Sequence, residues 1–161
     1  MPALDSDHLA LVDAYEKYGV ELLHFAASLV GPDIAQDVVS QTFLNCLQSR
    51  AWGGVVEPRA YLYQATRNEA RKHYRSEQRR SARELDHQDR GVADEPRSVS
   101  AELLEAVNSL SLRQRSVVYL AYWLDLDTAT ISQLLGVSPG AVHRHLARAR
   151  AILRKRVDRN A

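Results

Sequence analysis

The sequence lacks several features that would place it in a common class of protein. It contains a single cysteine, Cys46, which excludes an intramolecular disulfide and a zinc site rich in cysteine. The apolar neighbours of Cys46 predict a buried small residue rather than a redox sensor. No apolar run approaches the roughly 18 residues of a membrane-spanning helix, and no leader or cleavage signal is visible. We therefore expect a cytoplasmic protein with no membrane insertion.

The sequence also lacks the motifs of the common catalytic and cofactor sites. It has no glycine-rich phosphate loop, no nucleophile elbow and no carboxylate pair. Its six histidines are dispersed. His143 and His145 would diverge by about 200° on a helix, so they cannot share a metal ion. We therefore predict that the chain is not an enzyme, holds no catalytic or metal site and needs no cofactor.

The net charge of +1 conceals a strong segregation of charge along the chain. Residues 1–56 carry seven acids and two bases, whereas residues 57–83 carry three acids and eight bases. Residues 84–100 are acidic again, with five acids and two bases, and residues 101–161 are basic, with five acids and nine bases. Two basic blocks separated by acidic ones predict two distinct contacts with a polyanion.

The segment from Thr128 to Arg156 has the pattern of a helix-turn-helix. Gly136 falls where the first helix should end in a left-handed conformation that glycine adopts at little cost. Ser138 then offers a side-chain N-cap, and Pro139 falls at the first position of the second helix. Each helix has one apolar face. These faces consist of Ile131, Leu134 and Leu135 in the first helix, and Val142, Leu146, Ala149 and Leu153 in the second.

The side of the second helix that lies opposite its apolar stripe is basic. It carries Arg144, Arg148 and Lys155, with His143 and Arg150 on a flank. A short helix, a tight glycine turn and a basic second helix are typical of a reader of the DNA major groove. Charge alone would equally fit a solvated helical hairpin. Together with the glycine turn and its cap, it predicts DNA binding.

Two amphipathic helices are predicted in the first fifty residues. The apolar face of the first, which should end at Gly31-Pro32, consists of Leu11, Tyr15, Tyr18, Leu22, Phe25 and Leu29. Asp33 is expected to cap the second helix, whose buried side consists of Ile34, Val38, Val39, Phe43, Cys46 and Leu47. The remaining face of the second helix carries Asp37, Gln41, Leu44 and Gln48. Leu44 in that face is a candidate contact residue.

A long basic helix is predicted to begin at Pro58 and to continue to about Arg80. The loop before it contains Gly53-Gly54, with Trp52 beside the break. One face of the helix gathers phenol, amide and guanidinium groups: Tyr61, Gln64, Asn68, Arg71 and Arg75. Cations of this kind bind phosphates, and planar groups stack on exposed bases or bond to their edges. This face is therefore a second candidate nucleic-acid surface.

The segment 76–100 loses helical periodicity and predicts a flexible linker. After it, Ser100 is expected to cap a helix whose apolar stripe consists of Leu103, Leu104, Val107 and Leu110. Ser111 is expected to cap a further helix over 112–124, which leads into the helix-turn-helix. No segment shows strand alternation. The predicted fold is all-α, with two small helical domains on a flexible linker and the helix-turn-helix in the C-terminal domain.

Four stretches in this order resemble bacterial RNA polymerase sigma factors of the extracytoplasmic-function (ECF) type. IAQDVVSQTF resembles the family's helix that docks on the polymerase β′ clamp, and PRAYLYQATRN resembles the helix that reads the minus-10 element. LLEAVNSLSLRQRSVVYLAY and ISQLLGVSPGAVHRHLARARAIL resemble region 4, which reads the minus-35 element. The resemblance implies a region 2-like domain over 1–80, a linker over 81–99 and a region 4-like domain over 100–161.

The resemblance also implies roles for the candidate residues and partners. The expected partners are promoter DNA and core RNA polymerase, through its β′ clamp and β flap, and an anti-sigma factor is left open. The minus-35 contacts are expected from Ser138, Pro139, His143, Arg144, Arg148 and Lys155. The minus-10 contacts are expected from Trp52, Tyr61, Gln64, Asn68, Arg71 and Arg75. The polymerase contacts are expected from Asp37, Gln41, Leu44 and Gln48.

Two other classes of binding protein remain open at this point. A freestanding helix-turn-helix regulator would bind duplex DNA without polymerase, and its first half would sense a signal. A sigma-like decoy would bind other regulators in place of polymerase. A footprint on duplex DNA in the absence of polymerase would identify the freestanding regulator.

Overall fold

The computed structural model describes residues 6–85 and 99–159. Within these two ranges the chain is helical and contains no strand, which confirms the predicted all-α class. The helices are α1 (Ser6–Val30), α2 (Pro32–Gln48), α3 (Pro58–Leu85), α4 (Val99–Asn108), α5 (Leu112–Val118), α6 (Thr128–Leu135) and α7 (Pro139–Arg159). A 3-10 turn covers Trp52–Gly54, and a π-helical segment covers Tyr119–Trp123. The predicted flexible linker falls largely on residues 86–98, which lie outside the described ranges.

Helices α1 and α2 form a hairpin around a glycine. Gly31 has a φ of +89° and is the N-cap residue of α2, with Pro32 at the first helical position. The predicted cap at Asp33 is therefore wrong, because the N-cap residue lies two positions earlier. Asp33 instead lies in the first turn of α2, where a carboxylate interacts favourably with the helix dipole.

Helix α3 packs across the α1–α2 hairpin and buries Leu62, Tyr63, Thr66 and Ala70. Tyr63, which the apolar pattern did not include, is fully buried and packs on Phe25 with ring centroids 4.7 Å apart. Its hydroxyl donates to Glu21 Oε1 at 2.6 Å, and Arg59 Nε donates to the same oxygen at 2.8 Å. This small polar cluster satisfies the buried phenol and joins α1 to the start of α3.

Helix α3 also runs five residues beyond its predicted end, to Leu85. On its α2 side, Glu69 accepts a hydrogen bond from Asn45 Nδ2 at 3.1 Å and pairs with Lys72 at 3.4 Å. These contacts accommodate a carboxylate on the side of α3 that faces α2.

The predicted stripe of α4 is partly wrong. Leu103 and Leu104 are more than half exposed, and the buried residues of this region are Ala106 and Leu110. The predicted cap at Ser100 is also wrong, because α4 begins at Val99. Leu104 and Val107 instead line an exposed groove beside the start of α2.

The next helix begins where the sequence predicted but does not continue as one α-helix. Ser111 forms a capping box with Gln114: the Ser111 hydroxyl accepts from the Gln114 amide, and the Gln114 side chain accepts from the Ser111 amide. The predicted helix over 112–124 then divides into α5 and the π-helical segment, and Asp125 follows with a φ of +51°. Asp127 caps α6 by accepting from the Thr130 amide at 2.7 Å.

The helix-turn-helix has the predicted geometry. Gly136 is left-handed, with φ 63° and ψ 37°, and ends α6. The Ser138 hydroxyl accepts from the Ala141 amide at 3.2 Å, and Pro139 is the first residue of α7. Ile131, Leu134, Leu135 and Val142 are buried between the two helices. Both helices therefore turn their polar faces away from this core.

The N-terminal half (α1–α3) and the C-terminal half (α4–α7) share one hydrophobic core in this structure. The ring centroids of Phe25 and Tyr119 lie 6.0 Å apart across the boundary. Arg115 Nη1 donates to the Leu29 carbonyl at 2.6 Å across the same boundary. The chain thus folds its two halves against each other.

Candidate nucleic-acid and polymerase interfaces

The basic side of α7 is a continuous exposed surface. All six residues that were predicted to contact the minus-35 element are exposed: Ser138, Pro139, His143, Arg144, Arg148 and Lys155. Val142, Leu146 and Ala149 are buried on the opposite side, as predicted, and Leu153 is half-buried. A helix anchored by one face and cationic on the other can enter the major groove while its partner helix crosses the backbone.

A second basic group lies beside this surface, at the boundary with α3. Burial and the nearby guanidiniums of Arg113, Arg148, Arg144 and Arg67 lower the pKa of His145 below the usual value of histidine. Burial, followed by the charge of Arg113, likewise lowers the pKa of Arg67. Positive charges from three helices therefore converge here, a field that attracts phosphate.

The predicted minus-10 surface is only partly open. Asn68, Arg71 and Arg75 are exposed, whereas Tyr61 is half-buried. Trp52, the first residue of the 3-10 turn, is 7% exposed, and its ring centroid lies 5.8 Å from that of Tyr61 in an edge-on arrangement. A base contact by Trp52 stays a prediction, and it would require the turn to move.

Gln64, the remaining residue of the minus-10 face, is half-buried, and its side chain lies against the turn of the helix-turn-helix. A Cβ placed on Gly136 would lie 2.9 Å from the carboxamide atoms of Gln64. A residue larger than glycine at this position would therefore require the Gln64 side chain to move.

The predicted polymerase face lies along α2, and its four residues Asp37, Gln41, Leu44 and Gln48 are exposed. Leu44, which is 48% exposed, lies on a larger apolar groove of about 700 Å³ between α1 and α2. The groove is lined by His8, Leu11, Val12, Tyr15, Ser40, Phe43, Leu44 and Leu47. The contribution of α1 to this surface was not apparent from the sequence, because Tyr15 was assigned to the core.

The sequence interpretation missed a second exposed apolar surface, on the C-terminal half. Leu104, Tyr122 and the 77% exposed Trp123 line a groove of about 340 Å³, together with the start of α2. Leu104 was assigned to a buried stripe, and the π-helical turn that exposes Trp123 has no signature in the sequence.

The described residues contain no group of histidine, cysteine, aspartate or glutamate side chains that could hold a metal ion. None of the described helices is long and apolar enough to span a membrane. Cys46 is buried, as predicted. Burial raises the pKa of its thiol to about 11.

Two family models match the chain. Residues 14–80 match sigma-70 region 2, and residues 100–153 match sigma-70 region 4. An RNA polymerase sigma-E factor of Streptomyces antibioticus is 33% identical over 132 residues, which cover 79% of this chain and 72% of that protein. A sigma-E factor of Streptomyces avermitilis is 33% identical over 143 residues, which cover 85% of this chain and 79% of that protein.

Two solved structures have the same fold. The sigma factor RpoE of Bartonella quintana, in complex with the anti-sigma factor NepR, matches with a TM-score of 0.63 at 22% identity, over 91% of this chain and 97% of that one. CnrH, in complex with the cytosolic domain of CnrY, matches with a TM-score of 0.58 at 25% identity, over 94% of this chain and 90% of that one.

Proposed function

The chain belongs to the sigma-70 family and is a sigma factor of the ECF type, and on this premise we propose which of its surfaces bind polymerase and promoter. A sigma factor binds core RNA polymerase and directs it to promoters, so the chain needs one surface for protein and two for DNA. The charge segregation provides them, because the acidic N-terminal block repels phosphate while the two basic blocks attract it.

The minus-35 element is assigned to α7. Arg144 lies near the N-terminal end of the helix, which is the end that usually enters the groove, so its guanidinium is placed to bond guanine. Arg148 and Lys155 lie farther along the same exposed side and are assigned to phosphates. Ser138 and Pro139 fix the start of the helix, and His143 flanks the reading face.

The minus-10 element is assigned to the exposed side of α3. Asn68 can bond base edges, Arg71 and Arg75 can bind phosphates, and Tyr61 can stack on a base once it is free of Trp52. The described residues contain no nucleotide-binding loop, so strand opening is proposed to draw on binding energy, through capture of extruded bases. The chain would thus act without catalysing a reaction, in the cytoplasm where polymerase and promoters meet.

The observation that carries the polymerase assignment is the apolar groove between α1 and α2. Leu44 lies on it, and the acidic and amide groups of Asp37, Gln41 and Gln48 lie along the same helix. An apolar centre with a polar rim is the usual form of a protein interface. Leu44 would anchor the β′ clamp, and Asp37 would pair with one of its cations.

A second protein contact is assigned to the exposed apolar residues of the C-terminal half. Leu104, Tyr122 and Trp123 form an apolar surface near the helix-turn-helix, and an exposed patch of this kind marks an interaction site. The β flap of polymerase is its proposed partner. The two solved structures of similar fold are both complexes, and the partner in one of them is an anti-sigma factor. Because of this similarity in fold, we propose that an anti-sigma factor also regulates this chain.

Copurification with core polymerase and in vitro transcription on genomic fragments test the assignment. Asp37→Arg should abolish the complex, because it replaces an attractive contact by a repulsive one. Leu44→Ala should weaken it by about 1–3 kcal/mol, the value of a buried leucine side chain. Val20→Ala is the matched control, since Val20 is a 68% exposed apolar residue of α1 outside the groove.

Wild-type binding by both Asp37→Arg and Leu44→Ala would show that the docking surface lies elsewhere. If the unmodified chain neither binds core polymerase nor supports initiation, the proposed division of labour among its surfaces is wrong as a whole. All variants should keep the helicity and melting temperature of the wild type, because the substituted side chains are exposed.

A further inference from the structure

Two neighbouring cavities meet at a buried arginine beside the turn that joins α1 to α2. One has a volume of about 340 Å³ and the other a volume of about 420 Å³. Both fall in the range of roughly 300–1,000 Å³ that is usual for small-molecule sites. The residues that line both cavities are Gly31, Pro32, Leu104, Asn108 and Arg115. Arg115 gives this shared wall a positive charge.

The charge of Arg115 is buried and is not neutralised by the described residues. The residue is 7% exposed, and within residues 6–85 and 99–159 its guanidinium forms no ion pair with a carboxylate. Its Nη1 donates to the Leu29 carbonyl at 2.6 Å, whereas its buried Nε and Nη2 have no hydrogen-bond partner within these ranges. Burial lowers the pKa of the guanidinium below its ordinary value. A buried cation without a counter-charge is costly, and an anion that bonds it would offset that cost.

The two nitrogens without partners indicate which anion fits. A guanidinium presents its N–H groups as a planar fork, and two of these groups match the two oxygens of a carboxylate. Because Nη1 is engaged by Leu29, Nε and Nη2 are the pair that remains for such a bidentate contact. A rotation of the Arg115 side chain would present this edge to a ligand, since Arg115 lines both cavities.

The smaller cavity suits the apolar part of such a ligand. Its lining includes the half-buried Val107 and Val118, and also Tyr122 and Trp123, which are 59% and 77% exposed. The larger cavity is lined instead by the carboxylate of Glu77, which would repel an anion. The smaller cavity is therefore complementary to a molecule with one carboxylate and an apolar tail.

The size of the smaller cavity favours a small molecule over a polypeptide. One turn of an α-helix with its side chains is about 10–12 Å wide and 5.4 Å long, and so takes roughly 400–600 Å³. This is more than the 340 Å³ of the cavity. A helix could lie across the opening without entering it, whereas a single hydrocarbon chain could enter.

We propose that this cavity binds a small amphipathic monocarboxylate, such as a medium-chain fatty acid, with its carboxylate on Arg115 and its tail between α4 and the π-helical segment. The tail would cover apolar surface of Tyr122 and Trp123 that otherwise faces water. The cavity shares Leu104, Tyr122 and Trp123 with the surface assigned to the β flap, so the ligand and the flap would compete. The competition rests on the proposed function, but binding of the carboxylate does not.

Isothermal titration calorimetry on the free full-length chain, with sodium octanoate as the probe, tests the site. A ligand of this size should bind with a Kd on the order of 0.1–1 mM. Octanol, which has the same tail without the charge, should bind about tenfold more weakly. Hexanoate should also bind about fifteenfold more weakly, because each buried CH₂ contributes roughly fourfold.

Tryptophan fluorescence reports where the probe binds. The chain has two tryptophans, so Trp52→Phe leaves Trp123 as the only one. In this variant octanoate should shift the emission to shorter wavelength, because its tail would remove water from the exposed indole.

A pair of arginine variants on one helix isolates the role of the buried charge. Arg115→Met should weaken octanoate binding at least about tenfold, the loss expected when a hydrogen bond to a charged group is removed, and should leave octanol binding within about twofold. Arg113→Met is the matched control, because Arg113 is exposed and lines neither cavity. It should bind octanoate as the wild type does. If Arg115→Met loses helicity, Val107→Phe replaces it, since a larger side chain in the cavity wall should block the tail while Arg115 stays in place.

Equal affinities for octanoate and octanol would overturn the carboxylate site, as would equal losses in Arg115→Met and Arg113→Met. An unchanged emission of Trp123 would show that octanoate binds elsewhere, with the same consequence. A chain that binds an acidic, apolar peptide but no octanoate would have a protein-docking surface here instead.

The titrations contain neither polymerase nor DNA, so they do not depend on the proposed polymerase and promoter contacts. The competition is tested separately, because saturating octanoate should weaken copurification with core polymerase. If octanoate binds but copurification is unaffected, the β flap assignment is wrong and the carboxylate site stands.

Discussion

Gly136 offers a quantitative test of how the helix-turn-helix sits on α3. Alanine at this position must adopt a φ of 63°, which costs about 1–2 kcal/mol for a residue with a Cβ. The new Cβ would also lie 2.9 Å from the carboxamide of Gln64, which must therefore swing away and lose its packing. Because a flexible side-chain end can move, this second contribution should be the smaller, about 0.5–1 kcal/mol. Gly136→Ala should then destabilise the chain by about 2 kcal/mol.

The two contributions separate in a double-mutant cycle. Gln64→Ala removes the three atoms that the new Cβ meets, so Gly136→Ala should cost about 0.5–1 kcal/mol less in that background. Gly31→Ala is the matched control: Gly31 has a φ of 89° but no atom within 4 Å of an added Cβ. Gly31→Ala should therefore lower the free energy of unfolding by about 1–3 kcal/mol, from backbone strain alone. Its effect and that of Gln64→Ala should be additive in the double variant.

Urea unfolding followed by far-ultraviolet circular dichroism would measure the four free energies. Effects of distant sites usually add within about 0.3–0.5 kcal/mol, so a coupling inside that range would refute the reasoning. It would mean that the turn does not lie on Gln64 in solution. An equal coupling for Gly31→Ala would point instead to a general effect of Gln64→Ala on the fold.

Three further outcomes follow from the site and the core. Arg144→Ala should cost about 1–3 kcal/mol and relax base preference at one minus-35 position. Arg148→Ala should weaken binding to all DNA sequences equally and reduce the dependence of affinity on salt concentration. Fluorescence anisotropy on duplex variants at several salt concentrations distinguishes the two patterns. Tyr63→Phe should lower the free energy of unfolding by about 1–2 kcal/mol, measured in urea, because it leaves Glu21 without its phenol donor. Burial and neighbouring arginines lower the pKa of His145, so its contribution to stability is present above about pH 6.5 and lost as the pH falls through its folded pKa. His145→Gln should flatten that part of the stability curve, and an unchanged pH profile would contradict the assignment.

Local signals in the sequence predicted the helix-turn-helix in detail. A glycine at the end of α6, a serine cap and a proline at the start of α7 each act through the backbone of their own turn. The capping box of Ser111 and Gln114 is equally local. The apolar stripe of α7 was also predicted, because a helix that packs along one side, here against α4, α5 and α6, turns its apolar face toward them.

The errors fall where packing decides between equally good local patterns. Gly31 with Pro32, rather than Asp33, starts α2, because a glycine with positive φ turns the chain sharply out of α1. Leu103 and Leu104 fit an amphipathic stripe, but both are exposed, and the buried residues of this region are Ala106 and Leu110. Arg115 follows Leu112 by three residues and so lies on the buried side of α5. Helical spacing indicated this burial, but a charged side chain is not expected in a core.

The sequence by itself determined the helices, the turn that joins α6 to α7, the segregation of charge and the family, because each depends on neighbouring residues or on their order. It also identified which side chains of α7 face solvent, since helical periodicity fixes their direction. Only the tertiary structure decided that the groove beside Leu44 includes α1, and that the turn at Gly136 covers Gln64. Contacts between residues 72 positions apart in the chain leave no periodic trace in either segment. They arise because the apolar faces of the two halves are buried more completely against each other than either is alone.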